Sequence, residues 1–209
     1  MDLKLLLTLF EILGTVAFAA SGAFVAIGKK MDIFGVAVLG LTTALGGGVI
    51  RDLILGVTPP MMFRTPAYAF LAVVTAVIVF IPSVRRFLTA RQSLYDRVLL
   101  LFDSVGLGVF TVVGVQAAHS AGFADNRFLQ IFVGTLTGVG GGILRDVMAQ
   151  HTPYVFSKHV YASASLAGAL LCAFLWMYTG GAPAMIAGAA LTFVLRMCAA
   201  HFRWSLPKA

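Results

Sequence analysis

The residues in this chain that could do chemistry come in two matching sets. Gly46-Gly47-Gly48-Val49-Ile50-Arg51-Asp52 returns as Gly140-Gly141-Gly142-Ile143-Leu144-Arg145-Asp146, an offset of 94 residues (Gly46 to Gly140). Six residues past each aspartate comes Thr-Pro, at Thr58-Pro59 and Thr152-Pro153. Upstream, Phe10-Glu11…Gly14…Phe18…Gly22 aligns with Phe102-Asp103…Gly106…Phe110…Gly114 at an offset of 92 (Phe10 to Phe102). The chemistry on offer is electrostatic: two Arg-Asp pairs, two more carboxylates at Glu11 and Asp103, and the polar groups of Ser21, Thr42, Thr43, Thr135, Thr137 and Gln116. Such groups hold, repel or pass ions.

Other chemistries lack their parts. No nucleophile has a plausible base. His119, His151 and His201 fall near predicted helix ends, and His159 just inside the sixth helix. Cys172 and Cys198 lie in apolar runs without metal-ligand spacing, which suits packing. The glycine triplets follow no strand, so they have no phosphate-binding context. The expectation is a protein that is not an enzyme and has no metal and no cofactor.

The elements that must position these residues follow from composition. With 60% hydrophobic and 11% charged residues and a mean hydropathy of +0.97, the chain carries less than half the ~25% charge of a soluble domain. Apolar runs at roughly 4–27, 33–57, 65–82, 97–118, 127–149, 156–178 and 182–203 predict seven membrane-spanning helices. Leu5 to Ala26 is too long for a signal-peptide core and holds Glu11, so it reads as a retained first span. The net charge of +7 sits between apolar runs, where it orients the chain and meets lipid headgroups; nothing resembles a nucleic-acid module. With the N-terminus outside, the cytoplasmic side receives Lys29, Lys30, Arg85, Arg86, Arg91, Arg97, Lys158, Arg203 and Lys208 against Lys4, Arg64 and Arg127 opposite, which favours N-out and C-in.

The repeat then dictates topology. Residues 1–83 form one three-helix unit, 84–96 a basic linker, 97–178 the second unit, and 179–209 a seventh helix and tail. Three spans per unit is an odd number, so the second copy enters the membrane from the other side, as in transporters built from inverted repeats. The fold expected is an all-α polytopic membrane protein of two inverted repeats plus one helix.

Three glycines in a row disfavour helix by ~1 kcal/mol each relative to alanine. They mark a break that lines a path or a close helix contact. The reading taken forward is a break, making Gly46, Gly47, Gly48, Gly140, Gly141 and Gly142 part of a pore, with Arg51, Asp52, Arg145, Asp146, Glu11 and Asp103 as its charged residues. Neighbours on a helix point ~100° apart, so each arginine is expected to pair across helices rather than with the adjacent aspartate. Glu11 and Asp103 read either as carboxyls satisfied by a proton or a hydroxyl, or as negative sites toward opposite ends of one path.

At the paired Gly-Gly-Gly-x-x-Arg-Asp motifs the sequence resembles the prokaryotic branch of the trimeric intracellular cation (TRIC) channel family. That branch overlaps small bacterial membrane proteins labelled as a glycine transporter family. The resemblance covers essentially the whole chain. It includes Phe18-Ala19-Ala20-Ser21-Gly22-Ala23, both motifs with their prolines, Arg196 and Trp204-Ser205-Leu206-Pro207. It implies a homotrimer in a bacterial inner membrane, one hourglass pore per protomer, and passage of monovalent cations, chiefly potassium. Three functions are carried forward: such a passive channel, an alternating-access carrier for glycine or a similar small zwitterion, and a membrane scaffold without transport.

Overall fold

Every apolar run becomes a helix, and polar side chains cap three of the helix starts. The computed structural model describes residues 2–89, 92–157 and 160–204; Arg91, Lys158, His159 and the segment from Ser205 to Lys208 lie outside them. The elements are α1 (Leu3–Gly28), α2 (Ile33–Ile54), α3 (Met61–Arg64), α4 (Ala67–Phe80), α5 (Pro82–Thr89), α6 (Gln92–Ser120), α7 (Arg127–Met148), α8 (Tyr154–Ser157), α9 (Ala162–Thr179) and α10 (Gly181–His201). Six of them (α1, α2, α6, α7, α9 and α10) are long and apolar enough to cross a membrane. The seventh apolar helix, α4, has 14 residues, and ~21 Å of helix falls short of a ~30 Å hydrocarbon core. The basic stretch 84–96 is largely helical, shared between α5 and the start of α6.

The two copies of the motif start and stop their helices alike. The Asp32 side chain accepts from Gly35 N (2.7 Å) at the start of α2, and the Asn126 side chain accepts from Leu129 N (3.0 Å) at the start of α7. These caps satisfy amide donors that a helix start leaves orphaned. At the other ends, Leu55 N and Ala149 N donate to Arg51 O and Arg145 O, and Val57 N and His151 N donate to Asp52 O and Asp146 O. The reversal runs through Gly56 (φ 71°) in one copy and Gln150 (φ 54°) in the other. Only glycine adopts that left-handed turn without a side-chain penalty.

Helices α1, α2 and α4 pack mutually, as do α6, α7 and α9; α1 meets α6, α2 meets α7, and α10 covers α6 and α9. The glycine triplets lie at the α2–α7 crossing. Here the structure corrects an expectation: α2 and α7 run unbroken through Gly46–Gly48 and Gly140–Gly142. A side chain at Gly47 would strike the carbonyl of Thr137, and one at Gly141 the carbonyl of Thr43. The glycines therefore let two backbones touch while each helix keeps its own hydrogen bonds, the small-residue packing of membrane helices. Phe18 and Phe110 meet beside the crossing with ring centroids 5.4 Å apart. Phe18 fills the space left by Gly106, and Phe110 that left by Gly14.

Candidate functional site

Near the end of α7, the Arg145 guanidinium is completely buried and surrounded by acceptors. Its Nε donates to Asp146 Oδ1 (2.8 Å), and its Nη1 donates to Asp103 Oδ1 (2.5 Å) on α6 and to Ser21 Oγ (2.5 Å) on α1. Asp146 Oδ2 accepts from Tyr154 N (2.9 Å), which ties the start of α8 to the cluster. The guanidinium carbon sits 5.1 Å from the Tyr154 ring centre. Burial pushes the Tyr154 hydroxyl above the usual tyrosine range, because a phenolate is poorly solvated there. A buried arginine is tolerable when its charge is matched and its donors are used. Both conditions hold for Nε and Nη1.

Near the end of α2 the same motif builds a looser site. Arg51 Nε donates to Asp52 Oδ1 (2.8 Å), the only hydrogen bond of that guanidinium among the described residues. Asp52 Oδ2 accepts from Met61 N (2.8 Å), as Asp146 does from Tyr154 N. Glu11, the counterpart of Asp103, does not reach Arg51; it accepts from Tyr68 Oη (2.5 Å). Glu11, Arg51, Asp52 and Tyr68 share a small cavity of about 50 Å³. Val113 also lines it; at the offset of 92 it is the counterpart of Ser21, so the hydroxyl that holds Arg145 is a methyl beside Arg51. The expectation that each arginine pairs across helices rather than with its neighbour is corrected for Arg51 and holds only in part for Arg145. Both Nε atoms bind the adjacent aspartate, and only Arg145 adds a carboxylate from another helix. An arginine side chain is long enough to fold back over the ~100° between neighbouring positions.

A family model described as "Glycine transporter" matches residues 8–83 and 100–177. A UPF0126 membrane protein of Vibrio cholerae is 37% identical over 97% of this chain and 82% of its own length. The UPF0126 inner membrane protein YadS of Escherichia coli is 36% identical over 94% and 93%. Among solved structures, a TRIC channel orthologue from Rhodobacter sphaeroides superposes with a TM-score of 0.86 at 35% identity over 95% of this chain and 99% of that one. A prokaryotic TRIC channel crystallised in 0.5 M KCl superposes at 0.88 with 29% identity over 98% and 100%. The chain belongs to the TRIC channel family. It is a multi-pass membrane protein.

Within this TRIC-family chain, three residues of the sites escaped sequence reasoning. Tyr68 and Tyr161 are counterparts at an offset of 93: Tyr68 Oη donates to Glu11, and Tyr161 Oη to Asp103 Oδ1 at 3.4 Å. The extra Pro60 shifts the frame by one residue and hides the match. Tyr154 is the third. Arg196, noted in the sequence only as part of the resemblance, lies on α10 with Nη2 4.0 Å from Asp103 Oδ2 and its guanidinium 4.8 Å from the Tyr161 ring centre. Of the polar candidates, Thr43 and Thr137 donate to their own helix carbonyls, at Leu39 and Val133. Gln116 donates to Ser120 Oγ near the end of α6, away from both sites. Among the described residues no three His, Cys, Asp or Glu side chains group as a metal site.

Proposed function

We propose that the protein is a passive channel for monovalent cations, potassium above others, assembled as a homotrimer with one pore per protomer. The observation that carries this reading is the match to TRIC channel structures over nearly the whole chain, at TM-scores of 0.84 to 0.88 and identities of 29 to 35%. The orientation that the loop charges favour, N-terminus out and C-terminus in the cytoplasm of a bacterium, goes with it. The path runs from the cavity at Glu11, Arg51 and Asp52, past the Phe18–Phe110 contact, to the cluster of Asp103, Arg145 and Asp146. The glycine triplets serve it by seating α2 against α7. In the structure the Arg145 guanidinium is fully buried, with Nε and Nη1 bonded and Nη2 without a hydrogen-bond partner among the described residues.

A carrier for glycine is the competing reading, favoured by the description of the matching family model. The two separate in liposomes loaded with potassium chloride and radiolabelled glycine. A channel releases potassium down its gradient without saturating and leaves the glycine inside. Saturable exchange of labelled for unlabelled glycine, with no potassium release, would replace the channel by the carrier.

A further inference from the structure

The two sites differ in formal charge. Among the described residues, Glu11 and Asp52 face only Arg51, a sum of −1, whereas Asp103 and Asp146 face Arg145 and Arg196, a sum of zero. The balancing charge comes from α10, which lies outside the repeat and among the described residues has no counterpart beside Arg51. Arg196 also holds a particular place. It lines a cavity of about 550 Å³ with Asp96, Tyr154, Arg203 and Trp204, while Asp103 behind it has no exposed surface. The contact is electrostatic rather than a hydrogen bond: among the described residues Asp103 Oδ2 and Arg196 Nε have no hydrogen-bond partner, and Arg196 is 4% exposed.

We infer that Arg196 is a conductance-setting residue, which cancels the charge of Asp103 and screens that carboxylate from cations arriving through the α6–α10 cavity. The inference rests on the channel reading above. A fixed positive charge at a narrow, low-dielectric passage lowers the local concentration of cations, and removing it raises their supply. No bond of the cluster needs to break, since Asp103 keeps Arg145.

The test is single-channel potassium current in planar bilayers for wild type, Arg196→Gln, Arg196→Met and Arg196→Lys. The methionine variant keeps a long stem against Tyr161 in case glutamine disturbs folding. Gln and Met are expected to raise conductance roughly tenfold at ~0.01 M KCl, with the gain shrinking at ~1 M, where the Debye length falls to ~3 Å. Lys is expected to conduct as wild type does. A conducting wild type whose Gln and Met variants match it, or change equally at both salt concentrations, overturns the role given to Arg196 and leaves the channel standing. A wild type silent at both concentrations overturns the channel and this inference with it.

Discussion

Arg51 and Arg145 occupy the same place in two copies of one motif, yet one guanidinium makes a single hydrogen bond beside a cavity and the other makes three with no solvent contact. The difference arises outside the motif. Asp103 is one carbon shorter than Glu11 but bonds to Arg145, while Glu11 is held by Tyr68; Ser21 offers a hydroxyl where Val113 offers methyls; and α10 brings Arg196 to one site only. A duplicated motif therefore fixes the local pair, Arg to neighbouring Asp, and leaves the surroundings to decide whether that pair is a sealed cluster or an accessible charged site.

The sharpest way to break the comparison is to remove each arginine in turn. Arg145→Gln leaves two buried carboxylates short of a partner and is expected to cost about 3–5 kcal/mol. Arg51→Gln costs about 2 kcal/mol at most, because Asp52 keeps its bond from Met61 N. Thermal unfolding in detergent, read as two melting temperatures, decides it; equal losses would mean that the sites are not different in kind.

The next largest effect tests the glycine crossing. Gly47→Ala and Gly141→Ala each drive a methyl into a backbone carbonyl of the facing helix, which cannot swing aside. Each is expected to cost about 1–3 kcal/mol. If the glycines served to break the helices, alanine would instead stabilise them by up to ~1 kcal/mol each.

Single-group changes around each arginine sharpen the contrast. Gly142→Ala presses on the Tyr161 hydroxyl, whereas a methyl at Gly48 meets only the Arg51 guanidinium, at 3.7 Å from Nη2 and 3.9 Å from Cζ, ordinary contacts. The first is expected to lower the melting temperature and the second to hold or raise it slightly. Removing one hydroxyl, as Ser21→Ala, costs Arg145 a charge-assisted bond worth about 1.5–3 kcal/mol, while Val113→Ala beside Arg51 removes no polar partner. A Ser21→Ala protein as stable as wild type would show that Arg145 does not depend on that acceptor.

The helices and charged residues were legible in the sequence because membrane spans advertise themselves by length and apolarity, and charges inside them stand out. The role of the glycines was not legible, since whether Gly47 and Gly141 break a helix or admit another depends on the facing backbone, which one sequence segment does not contain. The arginine–aspartate neighbour pairs were not legible, because a long side chain folds back over the ~100° between adjacent positions. Tyr68 and Tyr161 were hidden by the single residue Pro60, and the place of Arg196 by its lying beyond the repeat, where no second copy flags it.

The central claim is that cations pass through this chain. Current through the purified protein in a planar bilayer under a potassium chloride gradient tests it directly. The account predicts discrete steps that reverse close to the potassium equilibrium potential. Reversal near zero or at the chloride potential would contradict it, and so would silence in the bilayer accompanied by glycine exchange across liposomes.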